Sequence, residues 1–204
     1  MWAANACPHL FSRMESWYRI MPDFGRAKYL FNLFAIPDNR TDMPYTPIIG
    51  TLGYILSPDR TQTLLVHRNA RQTDAHLGKY NGLGGKMRPD EDVPTCLTRE
   101  IKEEAGIDCE EILLRGTINW PGFGPHGEDW LGFIFRIDRF HGTPYPENEE
   151  GALAWHPVDH LHLLPMWPGD RYFLPLVFDS DPRIFHGHLP YKNGQPLSWT
   201  FTRI

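Results

Sequence analysis

An α+β fold is predicted from Thr46 onward, on three observations. Runs rich in Ile, Val, Tyr, Phe, Trp and Thr recur between turn signals, the pattern of strands. The segment 93–105 has helical spacing with a cap at each end. Residues 1–45 differ in character, so they read as a helical N-terminal extension and 46–204 as the main domain.

In the extension, Leu10, Met14, Trp17, Tyr18 and Met21 of "HLFSRMESWYRIM" fall near helical spacing and predict an amphipathic helix. "KYLFNLFAI" is a second apolar segment, and "PDNRTDMPYTP" a linker or turn. The extension packs on the main domain, or else makes a dimer contact or a lid over a site. "TPIIGTLGYIL" and "TQTLLVHR" then read as strands joined by a Ser-Pro-Asp turn. "GLGGKMRPDED" is a Gly-rich loop. In the helix that follows, Asp92 is the N-cap, Pro94 sits in the first turn and Gly106 is the C′ glycine. "ILLRGTINW", "DWLGFIFRI", "GALAWHP", "YFLPLVF", "FHGHLPY" and "SWTFTRI" are further strand candidates, and "VDHLHLLP" a short helix.

The bulk properties bound the function. At 204 residues, 41% hydrophobic and 22% charged, the chain reads as soluble and globular. A net charge of −5 gives no basic footprint for a nucleic-acid polymer, but leaves room for a single nucleotide in a local pocket. Cys7, Cys96 and Cys109 form no CxxC and no disulfide framework, which fits a reducing cytoplasm. No signal peptide is evident, and no apolar run approaches the ~20 residues of a membrane span.

The helix 93–105 carries an apparent electrostatic fault. Leu97, Ile101 and Ala105 share a stripe that can anchor it on a sheet. Glu100, Glu103 and Glu104 fall at i, i+3 and i+4 on the adjoining face, where like charges repel by roughly 0.2–0.5 kcal/mol per pair. A multivalent cation would remove the conflict, since hard cations such as Mg²⁺ take carboxylate oxygens together with substrate phosphates. "GLGGK" just upstream lets backbone approach a metal and a phosphate, and Lys86 offers a local counter-charge. The loop is not a P-loop, because GxxxxGK[ST] is absent.

The spacing completes the picture. Gly85 is followed after five residues by Glu91, and after seven more by Arg99-Glu100-Ile101-Lys102-Glu103-Glu104-Ala105-Gly106-Ile107. This matches Gx5Ex7REUxEExGU, with U a bulky aliphatic, at every fixed position, and the chain therefore resembles a Nudix hydrolase. The resemblance implies a mixed β-sheet sandwiched between helices, and cleavage of a nucleoside diphosphate linked to another group. It implies a catalytic set of Glu100, Glu103, Glu104 and Arg99. Divalent metal, Mg²⁺ or alternatively Mn²⁺, is held by Gly85 (through its carbonyl), Glu100, Glu103 and Glu104. Glu100 is the residue favoured for a shared role as base. Arg99 and Glu91 form a pair that orients helix and loop. Such chemistry needs positioning and charge neutralisation rather than a side-chain nucleophile, in keeping with the absent GxSxG elbow.

From Thr46 to the end, "KYNGLGGK", "MWPGDRYFLPLVF", "FHGHLPY" and "SWTFTRI" resemble the animal MutT-type members that hydrolyse 8-oxo-dGTP. The resemblance implies that Asn81 bonds the purine edge, Trp167 stacks on the base and Asp170 reads it from the same side. Thr51 and Arg68 line the pocket, and Glu150 is an extra acidic residue near the metals. The residues themselves leave alternatives: Trp167 is also a core candidate and Asn-Gly a common turn. One departure is plain. Two consecutive aspartates follow Trp-Pro in those relatives, whereas here the first is Gly169. Elsewhere, HExxH is absent, and His160, His162, His186 and His188 read as incidental; His126, Glu128 and Asp129 have no assigned place.

The expected activity is a Mg²⁺-dependent nucleoside triphosphate pyrophosphohydrolase acting on oxidised purine dNTPs, for nucleotide-pool sanitation. The alternatives are a Nudix hydrolase of another nucleoside diphosphate derivative such as ADP-ribose, and a non-catalytic nucleotide-binding module. The expected partner is a small-molecule nucleotide, with no nucleic-acid polymer and no membrane, for a cytoplasmic monomer or homodimer.

Overall fold

Two long strands start the main domain because their residues are apolar on both faces. In the computed structural model, which describes residues 44–204, these are Ile48–Leu56 (β1) and Gln62–Arg68 (β2). The Ser-Pro-Asp turn between them is closed by Ser57 Oγ donating to Asp59 Oδ1 at 2.6 Å. Next come Tyr80–Asn81 (β3), helix Val93–Ala105 (α1), Asp108–Trp120 (β4), Trp130–His141 (β5) and Gly151–Pro157 (β6). A 3-10 helix at Val158–Leu163 leads to helix Asp170–Phe178 (α2), and Phe185–His188 (β7), Tyr191–Lys192 (β8), Gln195–Pro196 (β9) and Thr200–Arg203 (β10) complete the chain. The reading of the extension as helical lies outside the described residues, except for residues 44 and 45.

The sheet is mixed, as expected. Its eight strands run β10-β7-β4-β5-β1-β2-β3, with β6 also paired to β2. β1 lies parallel to β5 from Ile48–Trp130 to Ile55–Ile137, while β2 and β6 pair antiparallel along their length. Successive residues face opposite sides of a strand, and both sides are covered here. Ile55, Leu64, Phe135 and Ile137 pack with Leu97, Ile101 and Ala105 of α1. Tyr54, Leu65 and Ile134 pack with Phe173, Leu174 and Val177 of α2. The architecture is helix on sheet on helix.

One element differs in kind from the sequence reading. "YFLPLVF" is not a strand but most of α2, with Pro175 inside it. Its Tyr, Phe and Val content favours strands, yet its buried residues Phe173, Leu174 and Val177 follow helical spacing. Tertiary burial overrides local propensity there. β4 and β5 also begin or end several residues beyond the predicted runs. Among the described residues no helix is long and apolar enough to cross a membrane.

Candidate active site

The sequence sets α1 firmly at both ends. Asp92 Oδ1 accepts the Thr95 N–H at 2.8 Å, and Gly106, at φ 73°, sends its N–H back to the Lys102 carbonyl. With Leu97, Ile101 and Ala105 wholly buried against the sheet, the glutamates are left on the free flank. Arg99 reaches back to the loop through a two-pronged pair with Glu91, at 2.8 and 2.7 Å. Arg99 hydrogen bonding is the main reason the Glu91 carboxyl is lowered to about 2. Glu91 also accepts the Arg88 backbone N–H at 2.8 Å. The expected orienting pair is thus present in geometry, and staples loop to helix.

The glutamates divide. Glu100 takes an Arg99 N–H at 2.7 Å and presses against Gly85, where any Cβ would overlap its carboxylate. Glu104 accepts the Gly84 N–H at 3.0 Å. Burial foremost, then the charges of Glu150 and Glu100, push Glu104 up to about 8. Glu103 stands on the solvent side, between Arg99 at 3.3 Å and Arg88 at 3.7 Å. Glu150 is thus brought to the cluster from just before β6, and is held there by Arg68, which also binds Asp74 at 2.7 Å. The Gly85 carbonyl accepts the Thr51 N–H at 2.9 Å, so one of its two lone pairs is spent on β1.

Carboxylates whose charges help push Glu104 up, beside approachable glycine backbone, make a donor set of hard oxygens, which suits a divalent cation such as Mg²⁺. Among the described residues no three acidic, His or Cys side chains are gathered ready-made around one point; Glu100 and Glu150 are instead drawn to Arg99 and Arg68. Those arginines are the counter-charges. Lys86, expected in that role, lies over the Trp130 ring at 5.4 Å.

The second half of the site is aromatic. A cavity of about 570 Å³ is lined by His76, Phe123, Trp130, Trp167, Tyr191 and the 122–127 loop. Trp167 meets Phe123 edge to face at 5.2 Å, and Lys79 Nζ stands 4.7 Å from its ring centre. Asn81 and Asp170 join this cavity indirectly. Asn81 Nδ2 lies 3.0 Å from His76 Nδ1, and Asp170 Oδ2 accepts the Trp167 backbone N–H at 3.2 Å. Burial pushes the Asp170 carboxyl up to about 7. Thr51 and Arg68 are placed elsewhere. Thr51 is buried beneath α1 against Cys96, at 3.6 Å, and Arg68 belongs to the carboxylate cluster.

The structure accounts for Gly169. A Cβ at that position would collide with the Tyr191 hydroxyl and lie 2.8 Å from Leu189. Tyr191 hydrogen-bonds the Gly169 backbone and its ring packs on Phe123 at 4.9 Å. The phenol thus fills the space that an aspartate side chain would need. Tyr191 and His76 both escaped the sequence reading as site residues. His76 lies 91 positions from Trp167 and in no motif, and Tyr191, though it closes "FHGHLPY", was singled out by nothing in that stretch.

Comparison with known proteins finds a matching family and a matching fold. The family model described as NUDIX domain matches residues 48–177. The oxidized purine nucleoside triphosphate hydrolase of Mus musculus is 32% identical over 149 residues, covering 72% of this chain and 89% of that protein. Its Danio rerio counterpart is 29% identical over 148 residues, with the same coverage of 72% and 89%. The crystal structure of a MutT protein from Bacillus halodurans superposes with a TM-score of 0.65 at 25% identity, covering 76% of this chain and 97% of that one.

Proposed function

Since the chain belongs to the Nudix family of phosphoric anhydride hydrolases, we propose that it cleaves oxidised purine nucleoside triphosphates, 8-oxo-dGTP foremost, to the monophosphate and pyrophosphate. The observation that carries this reading is the meeting of two half-sites. A carboxylate cluster suited to a cation on a polyphosphate is linked through Arg68 and Asp74 to an aromatic cavity suited to a base. The mouse and zebrafish relatives, named for oxidised purine nucleoside triphosphates, support the choice of substrate.

In this reading Glu100, Glu103, Glu104 and Glu150, with the Gly85 carbonyl, hold Mg²⁺. Held there, the ion would supply charge neutralisation for the polyphosphate and would acidify the attacking water. Arg99 keeps Glu100 on its flank and, with Glu91, holds the loop to α1. Glu100 Oε accepts the proton of the water. Trp167 offers its indole face to the base, and Asn81 and Asp170 offer polar atoms to its edge.

The test is a substrate panel with purified protein and Mg²⁺. Pyrophosphate released from 8-oxo-dGTP faster than from dGTP, dATP and pyrimidine dNTPs is the expected result. Turnover of ADP-ribose, with no pyrophosphate from any purine triphosphate, would overturn the reading.

A further inference from the structure

His76 lies in the loop between β2 and β3, on no motif, and three of its contacts converge on the aromatic half of the site. Its Nδ1 lies 2.8 Å from Trp167 Nε1 and 3.0 Å from Asn81 Nδ2. Its ring stands edge-on to Trp167, with centroids 5.5 Å apart at 85°. The chemistry of these partners fixes protons that coordinates alone do not show. An indole N–H can only donate. Nδ1 therefore carries a lone pair, and the neutral imidazole bears its proton on Nε2.

The same lone pair decides the amide. The Asn81 atom facing Nδ1 has to be the NH₂ group, so Oδ1 is turned away from it. That Oδ1 is buried and has no hydrogen-bond partner among the described residues. A buried acceptor without a donor costs free energy until one arrives. The orphan oxygen therefore calls for an N–H on whatever occupies the pocket.

The loop holding His76 is itself anchored. The His76 backbone N–H donates to Asp74 Oδ1 at 2.9 Å, and Asp74 Oδ2 accepts from Arg68 Nε at 2.7 Å. Burial, and the charges of Arg68 and Lys79, disfavour the imidazolium, while Asp74 opposes them; the net shift is downward. The neutral form that these contacts require is thus the one favoured near pH 7.

We propose that His76 is the positioning residue of the base pocket, its Nδ1 lone pair orienting the Trp167 indole and the Asn81 amide so that Asn81 Oδ1 receives an N–H of the bound base. The inference rests on the reading of Trp167 and Asn81 as base contacts.

The experiment compares wild type, His76→Leu and His76→Asn on 8-oxo-dGTP and on base-free deoxyribose 5′-triphosphate. Asparagine keeps an acceptor where Nδ1 stood, and leucine does not. His76→Leu is expected to raise KM for 8-oxo-dGTP about tenfold, the worth of one or two hydrogen bonds. The loss should fall on KM rather than kcat, and on the base-bearing substrate rather than the base-free one. His76→Asn should recover most of it. In wild type, KM should climb in acid as Nδ1 takes a proton, a rise missing from His76→Asn. Equal loss on both substrates, or His76→Asn as impaired as His76→Leu, would overturn the proposal. A wild type that releases no pyrophosphate from any purine triphosphate removes the underlying reading as well. A wild type that does, beside a His76→Leu enzyme with unchanged KM, removes this inference alone.

Discussion

The carboxylate end of the site is held by ion pairs, Glu91 and Glu100 to Arg99 and Glu150 to Arg68. The aromatic end is held by ring contacts and by one imidazole nitrogen. Charge-assisted hydrogen bonds are roughly twice as strong as neutral ones and stricter in geometry. The end proposed for chemistry is therefore the rigid one. The end proposed for base choice is open to change by single residues, and Gly169, packed under the Tyr191 hydroxyl, is one such position.

The contrast is broken most severely at Glu104. Glu104→Gln keeps an acceptor for the Gly84 N–H but removes the charge. It is expected to lower kcat/KM by about 100-fold or more, the loss of several kcal/mol of charge stabilisation. Trp167→Leu should instead act mainly on KM, by about tenfold, within the range for base–aromatic stacking. Steady-state kinetics on both variants, with thermal unfolding as the control for folding, checks the pair. If Trp167→Leu lost kcat and Glu104→Gln only KM, the two ends would have been assigned the wrong way round.

Acidity separates the ends by reagent. Glu104 is raised from 4.5 to about 8 and Asp170 from 3.8 to about 7. Between the ordinary and the raised value, the folded chain keeps a proton that the unfolded chain has released. The stability this confers is full below the ordinary pKa and is lost as pH rises through the raised one. Metal-free protein should accordingly melt at lower temperature at about pH 8 than at about pH 5. Mg²⁺ should restore only the share due to Glu104, by binding the folded form, and Asp170→Asn only the share due to Asp170. Scanning calorimetry with and without EDTA reads both. A metal-free Tm that climbed over this interval would count against both assignments.

A smaller effect is expected from restoring the missing aspartate. Gly169→Asp drives a Cβ into the Tyr191 hydroxyl. Overpacking of this kind costs about 1–3 kcal/mol. Removing the hydroxyl in Gly169→Asp/Tyr191→Phe should return a good part of that, as coupled neighbours do. Urea unfolding of the single and double variants measures the coupling. Equal destabilisation of both would show that the hydroxyl is not the obstacle.

The same two ends differ in how far they could be read from sequence. α1, its caps and its glutamate flank are local, and the spacing from Gly85 to Ile107 carries them whole. Most strands followed from strand-like runs, although their ends did not, and the mixed sheet followed from the family resemblance. The aromatic end is assembled over long distances. His76 meets Trp167 across 91 positions, and even at the carboxylate end the one part not local to α1, Glu150 on Arg68, is joined across 82. No local pattern announces such pairs. α2 was misread for a related reason: its aromatic and β-branched residues favour a strand until the core is there to bury them at helical spacing.

The smallest expected effect concerns which face of Trp167 a base would use. Lys79 Nζ stands over the ring, 4.7 Å from its centre, and its charge also favours the ionised form of Asp170. A cation over an indole at a partly exposed site is worth about 0.5–1 kcal/mol. If the base takes the opposite face, Lys79 keeps its partner while substrate is bound and continues to hold the ring and Asp170. Lys79→Met should then raise KM by about two- to fivefold and leave kcat close to its original value. If the base takes the face that Lys79 covers, the lysine competes with it, and the same variant lowers KM. The opposite face is expected, because Lys79 then serves both Trp167 and Asp170 in the bound state. The direction of the change in KM for 8-oxo-dGTP decides between them.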